Sequence, residues 1–148
     1  MGEKRWREEL IALCQSESYR FDEAMFRHTS FRVGGPADLF IEVQDKKELA
    51  CSVEYCRRQG IPWFVLGRGS NLLVSDQGME GVVLQLGGAF SEIQVEGRRI
   101  TAGAALALAL VAEEAARSGL SGLEFASGIP GSLGGGVFMN AGAYGHEM

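Results

Sequence analysis

The sequence predicts an α/β unit followed by an α+β unit, folded as two small lobes with a seam near residues 75–80. Three observations predict it. An apolar run at 37–43, a capped helical stretch and a second apolar run at 63–66 make a strand–helix–strand unit, right-handed by the crossover rule. After residue 80 the pattern changes to short strands and one alanine-rich helix. There are 21 glycines among 148 residues, about 14% and roughly twice ordinary usage, and nine of them fall in three short segments, 67–74, 127–136 and 140–145.

Each element has its own signature. Glu3 to about Ser16 has helical periodicity, with Trp6, Leu10, Ile11 and Leu13 as the apolar stripe. Residues 17–30 are polar and irregular, so 1–30 reads as an N-terminal helix and entry segment. Ala37-Asp-Leu-Phe-Ile-Glu-Val43 is a strand, and Asp45-Lys-Lys-Glu48 is a capping box. The helix it opens runs to about Arg58, where Gly60 and Pro62 stop it. Trp63-Phe-Val-Leu66 is wholly apolar, as expected of a buried strand. The first lobe then covers 31–78. The second, 79–148, takes a strand at 82–86, a hairpin of 92–95 and 99–102 turning at Glu96-Gly97, and a helix from Ala104 to Ser118 with Gly119 as C-cap.

Composition excludes several functions. Hydrophobic residues make up 46% and charged residues 22%, which are globular values and exclude a disordered chain. The net charge of -5 repels polyanions, so no nucleic acid and no anionic membrane is expected as a partner. No run approaches the ~18 apolar residues of a membrane span, and the first residues have no apolar signal core. The chain is therefore expected in the cytosol. With only two histidines and no CxxC, no metal site is expected, and Cys14, Cys51 and Cys56 read as free, mostly buried thiols.

The glycine segments carry the functional signal. Gly67-Arg-Gly-Ser-Asn-Leu-Leu-Val74 follows a strand, at the end where α/β folds bind ligands. Glycines one residue apart let successive N–H groups converge on phosphate oxygens. A plain tight turn into a strand at 72–74 explains the same residues equally well. In Ser127-Gly-Ile-Pro-Gly-Ser-Leu-Gly-Gly-Gly136, Ser132 can cap a helix from Leu133, whose free N–H groups would face an anion. No Lys or Arg lies within that segment, and no Gly-Lys-Ser/Thr triplet occurs, so a nucleoside-triphosphate loop is excluded. The spacing is not that of a Rossmann fingerprint either. Asn140-Ala-Gly-Ala-Tyr-Gly145 is the third segment. Together they suit a long diphosphate cofactor between the lobes, against the alternative of glycines needed only for tight packing.

Four segments in register resemble the front part of the UDP-N-acetylmuramate dehydrogenase family: 28–38 (His28-Thr-Ser-Phe-Arg-Val-Gly-Gly-Pro-Ala-Asp38), 66–74, 128–135 and 140–145. The resemblance implies a two-lobed FAD-binding fold of the vanillyl-alcohol-oxidase type, with the second lobe incomplete. It further implies non-covalent FAD, NADPH as reductant, and reduction of the enolpyruvyl ether of a UDP-sugar to a lactyl ether in peptidoglycan precursor synthesis. By motif match, Gly67, Gly69, Ser70, Asn71 and Leu72 would touch the FAD diphosphate and its surroundings. Gly128, Ile129, Pro130, Gly131, Ser132 and Gly135 would form the facing loop. Asn140, Gly142, Ala143 and Tyr144 would lie nearer the flavin. His28 and Arg32 belong to the signature with either a structural or a ligand role, while Arg68 reads as a solvated charge.

The family's Tyr-Arg-x-Ser-x-Phe and Gly-Ser-x-Phe-x-Asn-Pro segments do not occur in these residues, so no catalytic residue is assigned and a substrate-binding domain is expected to be absent. Two alternatives stay open. One is the FAD domain of another oxidoreductase of this fold, and the other is an inactive fragment that binds no cofactor.

Overall fold

The computed structural model describes residues 5–148; Glu3 and Lys4, where the sequence starts its first helix, lie outside the described residues. In order, the chain forms α1 (Arg5–Cys14), β1 (Tyr19–Ala24), β2 (Pro36–Val43), α2 (Lys46–Gln59), β3 (Trp63–Leu66) and β4 (Met79–Leu86). It continues through β5 (Ile93–Glu96), β6 (Arg99–Ala102), α3 (Leu108–Arg117), α4 (Leu133–Phe138), β7 (Gly142–Ala143) and β8 (His146–Glu147).

A four-stranded sheet in the order β1-β2-β4-β3 carries the first half, with β2, β4 and β3 parallel and β1 antiparallel on its edge. This corrects the lobe boundary. β4, assigned to a second lobe beginning at 79, lies between β2 and β3, because its Val82, Val83 and Leu84 can be buried on both faces only at the sheet centre. β1 corrects the reading of 17–30 as irregular. Tyr19, Arg20, Phe21 and Asp22 point little side chain inward, so an edge strand exposed on its outer side shows no apolar alternation. β3 is likewise an edge strand, with Trp63, Phe64 and Val65 about two-fifths exposed and only Leu66 buried. Residues 72–74 form no strand.

The sheet packs on both sides. Leu39, Ile41, Val43, Val82 and Leu84 face α1 and α2 through Leu10, Tyr55 and Cys56. Ala37, Phe40, Val83 and Leu66 face the other way, against Met25 and Val74. The β2–β4 register slips between Ala37 and Leu39, where β4 carries an extra residue. Gly81 makes the slip possible. It has φ +88°, a Cβ there would collide with the Pro62 carbonyl, and its N–H donates to Asp38 Oδ2 at 3.0 Å.

The helix ends follow the expected chemistry. Asp45 caps α2 by accepting from the Glu48 N–H at 2.8 Å, while Glu48 reaches back to the Gln44 N–H at 2.7 Å. Gly60, in the left-handed region, closes α2. α1 is tied down more firmly than a solvated helix. Arg7 is buried and binds Asp22 and Asp38, and the Tyr55 hydroxyl donates towards the Trp6 carbonyl and Glu9. Leu13 falls off the predicted stripe and is exposed. Cys14 and Cys51 are joined in a disulfide with their Cα atoms 5.6 Å apart, which corrects the reading of three free thiols; Cys56 alone of the three is free. Packing α1 on α2 brings together two cysteines that are 37 residues apart, a pairing no local spacing reveals.

In the second half, β5 and β6 pair as a hairpin whose two turn residues are Gly97 and Arg98. α3 begins at Leu108, four residues later than expected. Residues 104–106 form a turn instead, with Leu106 N–H to the Gly103 carbonyl and Ala105 N–H to the Phe90 carbonyl, and Ala107 then bridges to Ser132. Ser118 is the C-cap of α3 and Gly119, at φ +67°, the residue after it. Leu108, Ala112, Phe125 and Ala126 form a separate small core there.

Candidate functional site

Two of the three glycine segments meet. The first leaves the C-terminal end of β3 and the second enters α4, and they touch where the Ser70 hydroxyl donates to the Pro130 carbonyl at 3.1 Å. Glycine is required on both sides of the contact. A Cβ on Gly67 would collide with Ser132 Oγ, and one on Gly131, at φ +137°, would stand 3.0 Å from Ser70 Oγ. Gly69, at φ +63°, lies against the carbonyl of His28, and the Ser30 N–H donates to the Gly69 carbonyl at 3.0 Å. Gln85 Nε2 donates to the Gly67 carbonyl at 3.2 Å. Gln85 is a supporting residue the sequence reading passed over; its signal was a lone amide in the otherwise apolar run at 82–86.

The carbonyls of this loop are thus partly engaged, while the N–H groups of 67–71 donate to no acceptor among the described residues. The same holds for the N–H groups of Gly131 and Ser132. Two stretches of unspent backbone donors, brought together at the Ser70–Pro130 contact, suit the oxygens of a diphosphate. The residues present therefore fit a dinucleotide cofactor.

The helix end itself does not supply the expected donors. Ser132 caps α4 as predicted, accepting from the Gly135 N–H at 3.2 Å. The remaining first-turn donors are also spent, Leu133 on the Leu106 carbonyl at 2.8 Å and Gly134 on the Ala104 carbonyl at 2.9 Å. The reading of α4 as an open anion site is corrected on that ground. Gly134 and Gly136 serve packing, since Cβ atoms on them would press on Ala104 and Leu108. Leu72 and Ile129 also turn towards hydrophobic cores. Asn71 and Gly128 are exposed.

The third segment sits elsewhere. β7 and β8 form a short hairpin with Tyr144, at φ +55°, and Gly145 at its turn. His146 stacks on Phe125 at 6.2 Å, and the Ala141 N–H donates to the Gly136 carbonyl at 2.8 Å. Asn140, at φ +48°, Gly142, Ala143 and Tyr144 are therefore carried by α4 and the turn at 124–128, with the Tyr144 ring 90% exposed. Glu124 has its carboxyl held below the usual range by backbone N–H groups, its own and that of Gly122, with the nearby His146 adding to the effect. Among the described residues no cluster of three or more His, Cys, Asp or Glu could hold a metal ion, and no helix is long and apolar enough to cross a membrane.

Known proteins resemble this chain in sequence and in fold. The family model described as an FAD binding domain matches residues 37–148. A UDP-N-acetylenolpyruvoylglucosamine reductase of Heliobacterium modesticaldum is 56% identical over 126 residues, covering 85% of this chain and 40% of that protein. Another, of Alkaliphilus metalliredigens, is 43% identical over 148 residues, covering all of this chain and 49% of that protein. The crystal structure of a UDP-N-acetylenolpyruvylglucosamine reductase from Thermus caldophilus superposes with a TM-score of 0.71 at 40% identity, covering 87% of this chain and 45% of that one. The chain thus spans less than half the length of these relatives. Its fold is the FAD-binding fold of the vanillyl-alcohol-oxidase type, and the chain belongs to the FAD binding domain family.

Proposed function

We propose that this chain is the FAD-binding portion of a UDP-N-acetylenolpyruvoylglucosamine reductase. The protein would use NADPH, through non-covalently held FAD, to reduce UDP-N-acetylglucosamine enolpyruvate to UDP-N-acetylmuramate for peptidoglycan synthesis in the cytosol. The observation that carries the reading is the meeting of two uncharged glycine loops through Ser70 and Pro130, with backbone donors left unspent on both. Similarity to reductases of that name supports it.

A bound FAD supplies hydride transfer between nicotinamide and substrate. The chain's own residues bind and orient it. In this reading the N–H groups of 67–71, with those of Gly131 and Ser132, hold the diphosphate. Gly67 and Gly131 keep Cβ atoms out of the gap, Gly69 lets the first loop lie against the His28 carbonyl, and the Ser70–Pro130 contact fixes the spacing of the two loops. Asn140, Gly142, Ala143 and Tyr144 belong to the flavin end. No residue of this chain is assigned the proton donor or the clamp for the substrate carboxylate, so residues 1–148 alone are expected to bind FAD without turning over the enolpyruvyl substrate.

Flavin fluorescence titration tests the reading. Gly131→Val forces a β-branched residue to φ +137° and into Ser70, a strain of about 1–3 kcal/mol, or roughly 5–160-fold in affinity. The parent should bind FAD at one equivalent and Gly131→Val should bind it more weakly by at least that lower factor. Equal affinity of the two would remove the loop from the site.

A further inference from the structure

The turn that precedes β2 holds a buried acid–imidazole pair directly behind the first glycine loop. Glu23, at the end of β1, is 8% exposed, and its Oε1 lies 2.9 Å from His28 Nε2. With a carboxylate opposite, the ring nitrogen is the donor. The imidazole is locked on its other side by stacking on Phe40, ring centroids 4.2 Å apart and planes 28° from parallel. Arg27 approaches the second carboxylate oxygen of Glu23 at 3.7 Å from the exposed side. The side chain of His28 is therefore fixed on both a polar and an apolar partner.

Its backbone is what meets the loop. The His28 carbonyl occupies the space a Cβ on Gly69 would need, and two residues on the Ser30 N–H donates to the Gly69 carbonyl. Thr29, buried, closes the turn by donating from its hydroxyl to the Val33 carbonyl at 3.0 Å. The segment 28–30 thus lies directly against the loop at 67–71, and the Glu23–His28 hydrogen bond and the Phe40 stack hold its first residue.

We propose that Glu23 and His28 are a positioning pair for the loop at 67–71, so that their hydrogen bond, which contacts no ligand itself, sets the affinity for FAD. The proposal rests on the reading of that loop as part of the FAD site. Burying a carboxylate is costly unless it is well bonded, and the His28 ring N–H supplies that bond to Glu23 at the point where the backbone meets the loop.

The test is FAD affinity, measured on the full chain by flavin fluorescence in the folded range of each variant. His28→Ala should weaken FAD at least tenfold. His28→Gln, whose amide nitrogen can stand where Nε2 stands, should recover affinity to within about threefold of the parent. Glu23→Met, which removes the acceptor, should lose as much as His28→Ala, and the double variant no more than either alone. Should His28→Ala fail to fold, His28→Gln against Glu23→Met gives the same contrast. A His28→Ala protein that melts earlier yet binds FAD like the parent overturns the positioning role, as does a His28→Gln protein as weak as His28→Ala. Gly69→Val separates the two readings. If it binds FAD as tightly as the parent, the loop is not in the site and the positioning role falls with it. If it loses FAD while His28→Ala does not, only the positioning role falls.

Discussion

At the scale of single residues, backbone collisions decide more than side-chain chemistry. Gly81 sits at φ +88° where β4 carries its extra residue, and a Cβ there would collide with the Pro62 carbonyl. Gly81→Ala should cost about 1–3 kcal/mol of stability through positive φ and the Pro62 carbonyl; urea unfolding measures it, and a loss below a few tenths would mean the bulge is not needed. Cys56 gives a pH-dependent case. Burial pushes its thiol up to about 11 from an ordinary value of 9.0. A raised folded-state value contributes stability that is complete below pH 9 and drains away as pH rises through 9 to 11, because the unfolded chain ionises first. Two units correspond to about 3 kcal/mol at most, and the neighbouring Tyr55, pushed up by burial and by Glu9, acts in the same direction. The fall in unfolding free energy between pH 8 and pH 10.5 should therefore be smaller in Cys56→Ala than in the parent. An identical fall in both would assign the pH dependence to other groups.

At the scale of elements, local signals were legible and partnerships were not. The Asp45 cap, the Gly60 stop, the β5–β6 hairpin and the Ser132 cap rest on contacts within a few residues; the caps and the stop stand where the sequence puts them, and the hairpin turns one residue later, at Gly97-Arg98. What the sequence could not show was which strand lies beside which. β4 reads like any apolar run, and only pairing with both β2 and β3 makes it central. The same blindness hid β1, the bridge that delays α3, and the Cys14–Cys51 link, all of which depend on residues far apart in the chain. For the site, the glycine segments were visible as composition, whereas the diversion of the α4 donors to the 104–106 carbonyls was not. The disulfide makes a sharp prediction. Closing a loop with a sequence separation of 37 removes unfolded-state entropy equivalent to about 4 kcal/mol. Reduction with a dithiol, or Cys14→Ala with Cys51→Ala, should lower the unfolding free energy by up to that amount and leave Cys56 slow to alkylate. Two alkylated thiols in the untreated protein, with no change in stability on reduction, would show that the link does not form.

At the scale of the whole molecule, the sheet and the glycine loops predict how order is distributed and how a cofactor changes it. β2 and β4 are paired on both edges and buried on both faces, so their amides open only when the molecule unfolds. The β7–β8 hairpin has two residues a side, is largely exposed, and is held by the Phe125–His146 stack and the end of α4. Hydrogen exchange without cofactor should therefore rank residues 39–43 and 82–86 slowest and 140–147 among the fastest. The amides of 67–71, 131 and 132 should also exchange fast, for a different reason: their N–H groups have no acceptor among the described residues even though the backbone around them makes close glycine contacts. Saturating FAD should slow those seven amides together, because a diphosphate between the loops would engage donors on both sides at once, while leaving the already slow β2 and β4 amides unchanged until global opening slows. Protection that appears on only one loop would show that the cofactor does not bridge them. Protection confined to 140–147 would move the binding site to the hairpin and leave the Ser70–Pro130 contact as packing alone.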